Sequence, residues 1–245
     1  MKNSITKLFR LSIITIAIVL AGFSISYAQT PAKPLPAVGT SVILGQIDGV
    51  KISATVQSPS NQQTPLQVIC VFEYTEGDIF NSPPALPRNV NGLVHVDDAL
   101  KGILTELRKS GQFAGHALET ILITPLAGSM PAKRLLIIGL GDRNKFNAEL
   151  MNRVGSVEMH EALRLGVSSY SHASDLKDAG IDSPTDSVAV NIVKGAMEAY
   201  KAENFLKDHS LTSFQPIDQI TLLAGPAFFQ VSSEAIKVYI ATLKK

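Results

Sequence analysis

"AKRLLIIGLGDRNKFNAEL", residues 132–150, sets an apolar run, a Gly-x-Gly turn and the polar opening of a helix in that order. A continuous aliphatic run bounded by turn residues reads as a strand covered on both faces, the kind found inside α/β sheets. Gly139, Gly141 and Asp142 then pose a question, because backbone amides exposed at a helix start bind anions. The dinucleotide fingerprint needs a third glycine, yet residue 144 is Asn, and the helix is expected only from Asn147. The plainer reading is that two glycines turn a central strand sharply. Gly139, Gly141 and Asp142 stay in view as cofactor-binding residues only under an alternative in which a small ligand sits at this sheet edge.

Working outward, "SVILGQI" and "VKISATVQ" flank Asp48-Gly49, a two-residue type I′ turn signal, and predict a β-hairpin over about 41–57. "LQVICVFE" predicts a doubly covered strand. In "DDALKGILTELRKSG" from Asp97, residues Leu100, Ile103, Leu104 and Leu107 recur at helical spacing up to Gly111. "ETILITPL" and "KRLLIIGL" read as two strands. Asn147 caps a helix running to Gly166, and "GVSSYSHA" reads as a further strand. Ser183 and Pro184 open a long helix with Val188, Ile192, Ala196 and Ala199 or Tyr200 inward, and with Phe205 and Leu206 expected in the core, the alternatives being a place under a loop or in an interface. "DQITLLAG" and a helix capped by Ser232 complete the pattern. Strands alternating with helices after a hairpin imply an α/β fold, a three-layer mixed sheet flanked by helices.

The first thirty residues place Lys2, Lys7 and Arg10 before an apolar stretch from Leu11 to about Phe23, with Ser26 and Ala28 framing a cleavage site. Residues 1–28 read as a secretory signal peptide, 29–40 as a Pro-rich leader and 41–245 as one domain. Cleavage after Ala28 would take three positive charges and change the net charge from +1 to −2. A secreted or periplasmic protein with no membrane contact after cleavage is expected. The absence of any basic block excludes nucleic acid as a partner on charge grounds. Cys70 is the only cysteine, so no internal disulfide can form, and its aliphatic surroundings predict a buried, inert thiol.

Other polar groups offer little chemistry. In "GLVHVDDA", strand-like alternation puts His95 and Asp97 on one side while Asp98 starts a helix, so capping accounts for the carboxylates. His160-Glu161 lacks the second histidine of H-E-x-x-H, because Arg164 stands there. His116, His172 and His209 are isolated and read as solvated or core-edge. Ser168, Ser169 and Ser171 lack a nucleophile elbow. No catalytic residue, metal ligand or cofactor is assigned.

The block "LKGILTELRKSGQFAGHALETILITPLAGSMPAKRLLIIGLGDRNKFNAELMNRVG", residues 100–155, resembles the amino-terminal domain of the M17 leucyl aminopeptidase family. The order carries the likeness: a helix ending in "KSGQFAG", a strand, a short turn, "KRLLIIGLGD", then a helix. The resemblance implies a macro-domain-like fold. In that family a separate carboxy-terminal domain holds two metal ions and performs the hydrolysis. Its Asn-Thr-Asp-Ala-Glu-Gly-Arg signature occurs nowhere in this sequence, and "DSPTDSVAV" is the nearest acidic stretch. The expectation is an exported non-catalytic module that binds a protein partner or forms a homo-oligomer. Two alternatives are a nucleotide or ADP-ribose-like ligand at the sheet edge, and a half-enzyme whose catalytic domain lies on another chain.

Overall fold

The computed structural model describes residues 34–78 and 85–244. The signal-peptide reading and the first part of the leader lie outside these residues. Strands β1 (Ser41–Ile47) and β2 (Val50–Val56) form the hairpin, with Asp48 at φ 46° and Gly49 at φ 86°. Both turn residues therefore take the left-handed conformation that a type I′ turn demands. Pairing starts before Ser41, since the Gly39 amide donates to Val56 O at 2.8 Å. β1 carries a bulge between Ile43 and Gly45.

Strand β3 (Gln67–Val71) is buried throughout. After it come helices α1 (Gly92–Ala99) and α2 (Ile103–Lys109), strands β4 (Thr120–Ile123) and β5 (Leu135–Gly139), and helix α3 (Leu150–Arg164). The chain continues through β6 (Ser169–Ala173), α4 (Thr185–Asp208), β7 (Gln219–Ala224) and α5 (Phe229–Thr242). The seven strands lie in the order β1-β2-β7-β6-β3-β5-β4, with β1 and β4 antiparallel at the two edges and the five between them parallel. The crossovers from β5 to β6 and from β6 to β7 step in one direction, so right-handedness places α3 and α4 on one face. α5 packs beside α4 and against β1. The path from β3 to β5 steps the other way and puts α1 and α2 on the opposite face. Val68, Ile69, Leu135, Ile137, Met159, Ile192 and Ile220 fill the core between these layers, all fully buried. Among the described residues, no helix is long and apolar enough to cross a membrane.

Several boundaries differ from the sequence reading. Helix α1 starts at Gly92, with Asn91 Oδ1 accepting from the Val94 amide at 3.0 Å, so His95 and Asp97 are helical rather than extended. The chain breaks at Lys101 (φ 58°) and Gly102 (φ 84°) before α2. Asp97 explains the break: its carboxylate accepts from the Thr105 amide (3.1 Å) and hydroxyl (2.7 Å), capping the second helix from the end of the first. Asp98 instead pairs with Arg88. Ser183 makes no capping bond and Pro184 stands at the N-cap of α4. Ser232 lies inside the first turn of α5, its amide donating to Phe228 O at 3.0 Å. The N-cap of α3 is Glu149 rather than Asn147, although the Asn147 side-chain oxygen, two residues earlier, accepts from the Leu150 amide at 3.1 Å.

Candidate functional site

In parallel α/β sheets, ligands bind beyond the carboxyl ends of the strands, where neighbouring connections diverge. Here β3 and β6 are neighbours whose connections leave in opposite directions, and the end of β5 lies alongside. The residues at this edge fall into two groups.

The first is the Gly139–Gly141 turn. Its amides are engaged within the chain: Gly139 donates to Glu119 O (2.8 Å), Leu140 to Val71 O (2.7 Å) and Gly141 to Gly115 O (2.9 Å). Gly139 O accepts from Leu118 and Gly141 O from Glu73. A Cβ on Gly139 would lie 2.1 Å from His116 O, and Gly141 sits at φ 73°. One glycine therefore serves close backbone approach and the other a left-handed bend. Asp142 turns inward on its own loop, accepting from the Asn144 amide at 2.9 Å with Lys145 at 3.6 Å. That amide holds the Asp142 carboxyl below its usual range. Exchanging Gly139 or Gly141 for Val is expected to cost on the order of 1–3 kcal/mol in denaturant unfolding, whereas Asp142→Ala leaves the unfolding midpoint close to that of the parent. A larger effect at Asp142 than at either glycine would contradict this account.

The second group lies over β3 and β6. Asp178, in the loop after β6, is buried and its Oδ2 accepts from the Gly92 (2.9 Å) and Leu93 (3.3 Å) amides. With Asn91 serving Val94, the first-turn amides Gly92, Leu93 and Val94 of α1 are met by the chain's own oxygens. Asn91 Nδ2 also donates to Asp178 O at 3.0 Å. Burial pushes the Asp178 carboxyl up to about 6, and burial together with the Asp178 charge raises Asp175 well above the carboxylate range.

Below this edge is a polar cluster that sequence reasoning missed. Glu158 of α3 lies 2.6 Å from His172 Nδ1 and accepts from the Tyr170 hydroxyl at 3.3 Å, while His172 Nε2 lies 2.9 Å from Ser174 Oγ. The His172 and Glu158 side chains are 1% and 0% exposed, so the cluster as it stands is walled off from substrate. Cys70 is also buried, and burial, then Asp175 and Glu158, push its thiol up. Arg108 is a further buried charge, clamping the segment after β3 through Phe72 O (2.7 Å) and Asp78. Nothing in local spacing signals these pairs, because each joins separate elements. His116 is solvated as expected and pairs with Glu73 at 2.7 Å, which raises its pKa.

Phe205 is 62% exposed and Leu206 is exposed beside it, so neither takes the core placement expected. Nine residues past the inward Ala196 is two and a half helical turns, which points Phe205 away from the sheet. Its ring packs on His209 with centroids 4.3 Å apart. A polar groove of about 560 Å³ lies between α3 and α4 near Asn147, Arg153, Asn191 and Lys194. Among the described residues, no three His, Cys, Asp or Glu side chains converge to hold a metal.

The family model for the N-terminal domain of the cytosol aminopeptidase family matches residues 82–208, more than half of the sequence. The chain belongs to this family. A probable cytosol aminopeptidase of Roseiflexus castenholzii is 28% identical over 129 residues, covering 52% of this chain and 26% of the relative. One from a Geobacter strain is 30% identical over 158 residues, covering 63% and 29%. The chain thus spans under a third of the length of these relatives. Among solved structures, a tomato leucine aminopeptidase mutant aligns with TM-score 0.54 and 17% identity over 79% of this chain and 37% of its own. A macrodomain mutant of Oceanobacillus iheyensis gives 0.52 and 14%, covering 83% and 99%. The Trypanosoma brucei macrodomain in complex with ADP-ribose gives 0.54 and 13%, covering 84% and 78%. These likenesses establish a macrodomain-like fold for this family member.

Proposed function

We propose that this chain is an exported, non-catalytic module of the cytosol aminopeptidase family that binds a protein partner or a second copy of itself. One observation carries the reading: the amides of Gly139, Leu140, Gly141, Gly92, Leu93 and Val94 at the sheet's carboxyl edge are bonded to the chain's own carbonyls and side-chain oxygens. A phosphate arriving there would have to displace those bonds before gaining any of its own. The two metal ions held by the family's catalytic domain find no ligand set among the described residues. Export rests on the charged and apolar pattern of residues 1–28 and on cleavage after Ala28.

The test joins three measurements. In-cell crosslinking of the exported chain, trimmed to Gln29, should recover a discrete complex, either homomeric or with one partner. ADP-ribose and ADP at millimolar concentration should leave its melting temperature unchanged, since a ligand that binds only the folded state raises it by mass action. A leucyl anilide with manganese or zinc should be cleaved no faster than the blank. A concentration-dependent rise in melting temperature abolished by Gly141→Val would replace this reading with ligand binding. Hydrolysis that returns on mixing with a second, metal-loaded chain would replace it with the half-enzyme.

A further inference from the structure

Strand β4 stands at one edge of the sheet, and among the described residues no strand lies beyond it. With the residue that follows, its sequence "TILIT", residues 120–124, reads the same in both directions about Leu122. An antiparallel partner runs the opposite way, so this palindrome set against its own copy brings identical residues together. The hydrogen-bond parity allows it. Gly139 N donates to Glu119 O at 2.8 Å, and Ile121 and Ile123 stand opposite Ile137 and Leu135 of β5, so these alternate residues bond inward. Thr120, Leu122 and Thr124 therefore turn their amides and carbonyls away from the sheet. Pro125, which has no amide hydrogen to give, falls in the inward set.

The two edges of the sheet differ in protection. β1 is bulged between Ile43 and Gly45, and the Ile240 side chain of α5 lies 3.0 Å from where a Gly45 Cβ would stand. Bulges and covering helices keep an edge from recruiting another strand, as charged side chains do. β4 keeps an unbroken register with β5 from Thr120 to Ile123, and no charged residue occurs between 120 and 132. The preceding carboxylate, Glu119, is drawn back onto its own loop, accepting from the Gly115 and His116 amides at 2.8 and 3.0 Å. Leu122 is 38% exposed on this unguarded edge.

We propose that β4 is a homodimer edge, where two copies of the chain pair antiparallel through residues 120–124 about a two-fold axis at Leu122 and join their sheets into one. The inference rests on the reading that the chain binds a partner or a second copy, and it commits to the second copy. In this register Leu122 meets its own counterpart, Ile121 meets that of Ile123, and Thr120 meets that of Thr124. Thr120, Leu122 and Thr124 lie on one face and Ile121 and Ile123 on the other, so each face pairs like with like. The outward residues exchange main-chain hydrogen bonds with those opposite. A two-fold axis sets any residue near it against a copy of itself, and a stretch without charges escapes the repulsion this would bring. A foreign strand could meet the same amides, but the palindrome would then do nothing.

Sedimentation equilibrium of the purified chain should give the mass of a dimer. Leu122→Lys sets two ammonium groups opposite each other and should weaken the dimer on the order of tenfold or more. Leu122→Glu should do the same, and an equimolar mixture of the two variants should recover the dimer, showing that both are folded. Leu122→Cys should form a disulfide-linked dimer under mild oxidation, because opposed residues of an antiparallel pair lie about 5.5 Å apart at Cα, within disulfide reach. Ile43→Cys, on β1, should not. A monomeric parent overturns the homodimer, while the wider reading falls only if in-cell crosslinking also recovers no foreign partner. A dimer that Leu122→Lys leaves intact, a mixture that fails to recover it, or crosslinking no faster at 122 than at 43 overturns β4 as the contact and leaves self-association standing.

Discussion

Gly195→Ala should destabilise the fold by about 3 kcal/mol, although the same exchange in an isolated helix gains close to 1 kcal/mol. The reason is the crossing of α3 and α4. A Cβ on Gly195 would stand 1.7 Å from Asn152 O, and one on Gly155 would stand 2.2 Å from Ile192 O. The obstacles are backbone atoms in helix interiors, so no rotamer change relieves them and the helices must move apart. Separation would loosen the packing of Val154, Met159, Ile192 and Ala196, which are fully buried. It would also stretch the bond from Asn152 Nδ2 to Glu198 Oε2, now 3.1 Å. Gly155→Ala should behave alike, and the double variant should cost less than the two singles together, since one displacement relieves both clashes. Equilibrium urea unfolding checks this. A Gly195→Ala variant as stable as its parent would mean that the helices are not held at backbone contact.

Those two glycines mark where sequence reading stops. A glycine within a helical period is tolerated at a known cost, and nothing local says whether it faces water or another backbone. The hairpin was legible because Asp48-Gly49 encodes its own φ angles, and β3 and β5 were legible because doubly covered strands are aliphatic throughout. Helix ends were harder. The run from Leu100 to Leu107 keeps helical spacing straight through the Lys101–Gly102 break, and only the folded position of Asp97 shows that it caps a second helix. The edge of the sheet was half legible. Gly139 and Gly141 announce a turn, but the residues that occupy their amides, 115 and 119, come from a loop some twenty residues earlier. Asp178 sits in an ordinary polar loop until the fold lays it on the start of α1. His172 reads as an isolated histidine because Glu158 is fourteen positions away, on another element.

That buried pair sets the second large effect. Glu158→Ala should cost on the order of 3–5 kcal/mol, as expected when one partner of a buried polar pair is removed. Three penalties act together: His172 Nδ1 loses its 2.6 Å partner, the Tyr170 hydroxyl loses its acceptor, and a cavity opens beneath α3. Glu158→Gln should cost less, because its amide oxygen can still accept from one of the two. The discriminating variant is the double replacement Glu158→Leu with His172→Leu. Apolar side chains of similar volume fill the space and remove the need to pair Glu158 with His172, leaving the Tyr170 hydroxyl as the unmet group, so the double should be more stable than Glu158→Ala alone. If the double were as unstable as the sum of its singles, the two side chains would be acting independently and the cluster would not be a unit. If it recovers as expected, the cluster costs the fold little net energy, and its role is to fix how α3 sits on β6. The loop carrying Ser174, Asp175 and Asp178 begins at the end of that strand. Loosening α3 should therefore also lower amide protection at Gly92 and Leu93, although neither substitution removes their acceptor Asp178, and hydrogen exchange on the double variant measures that coupling.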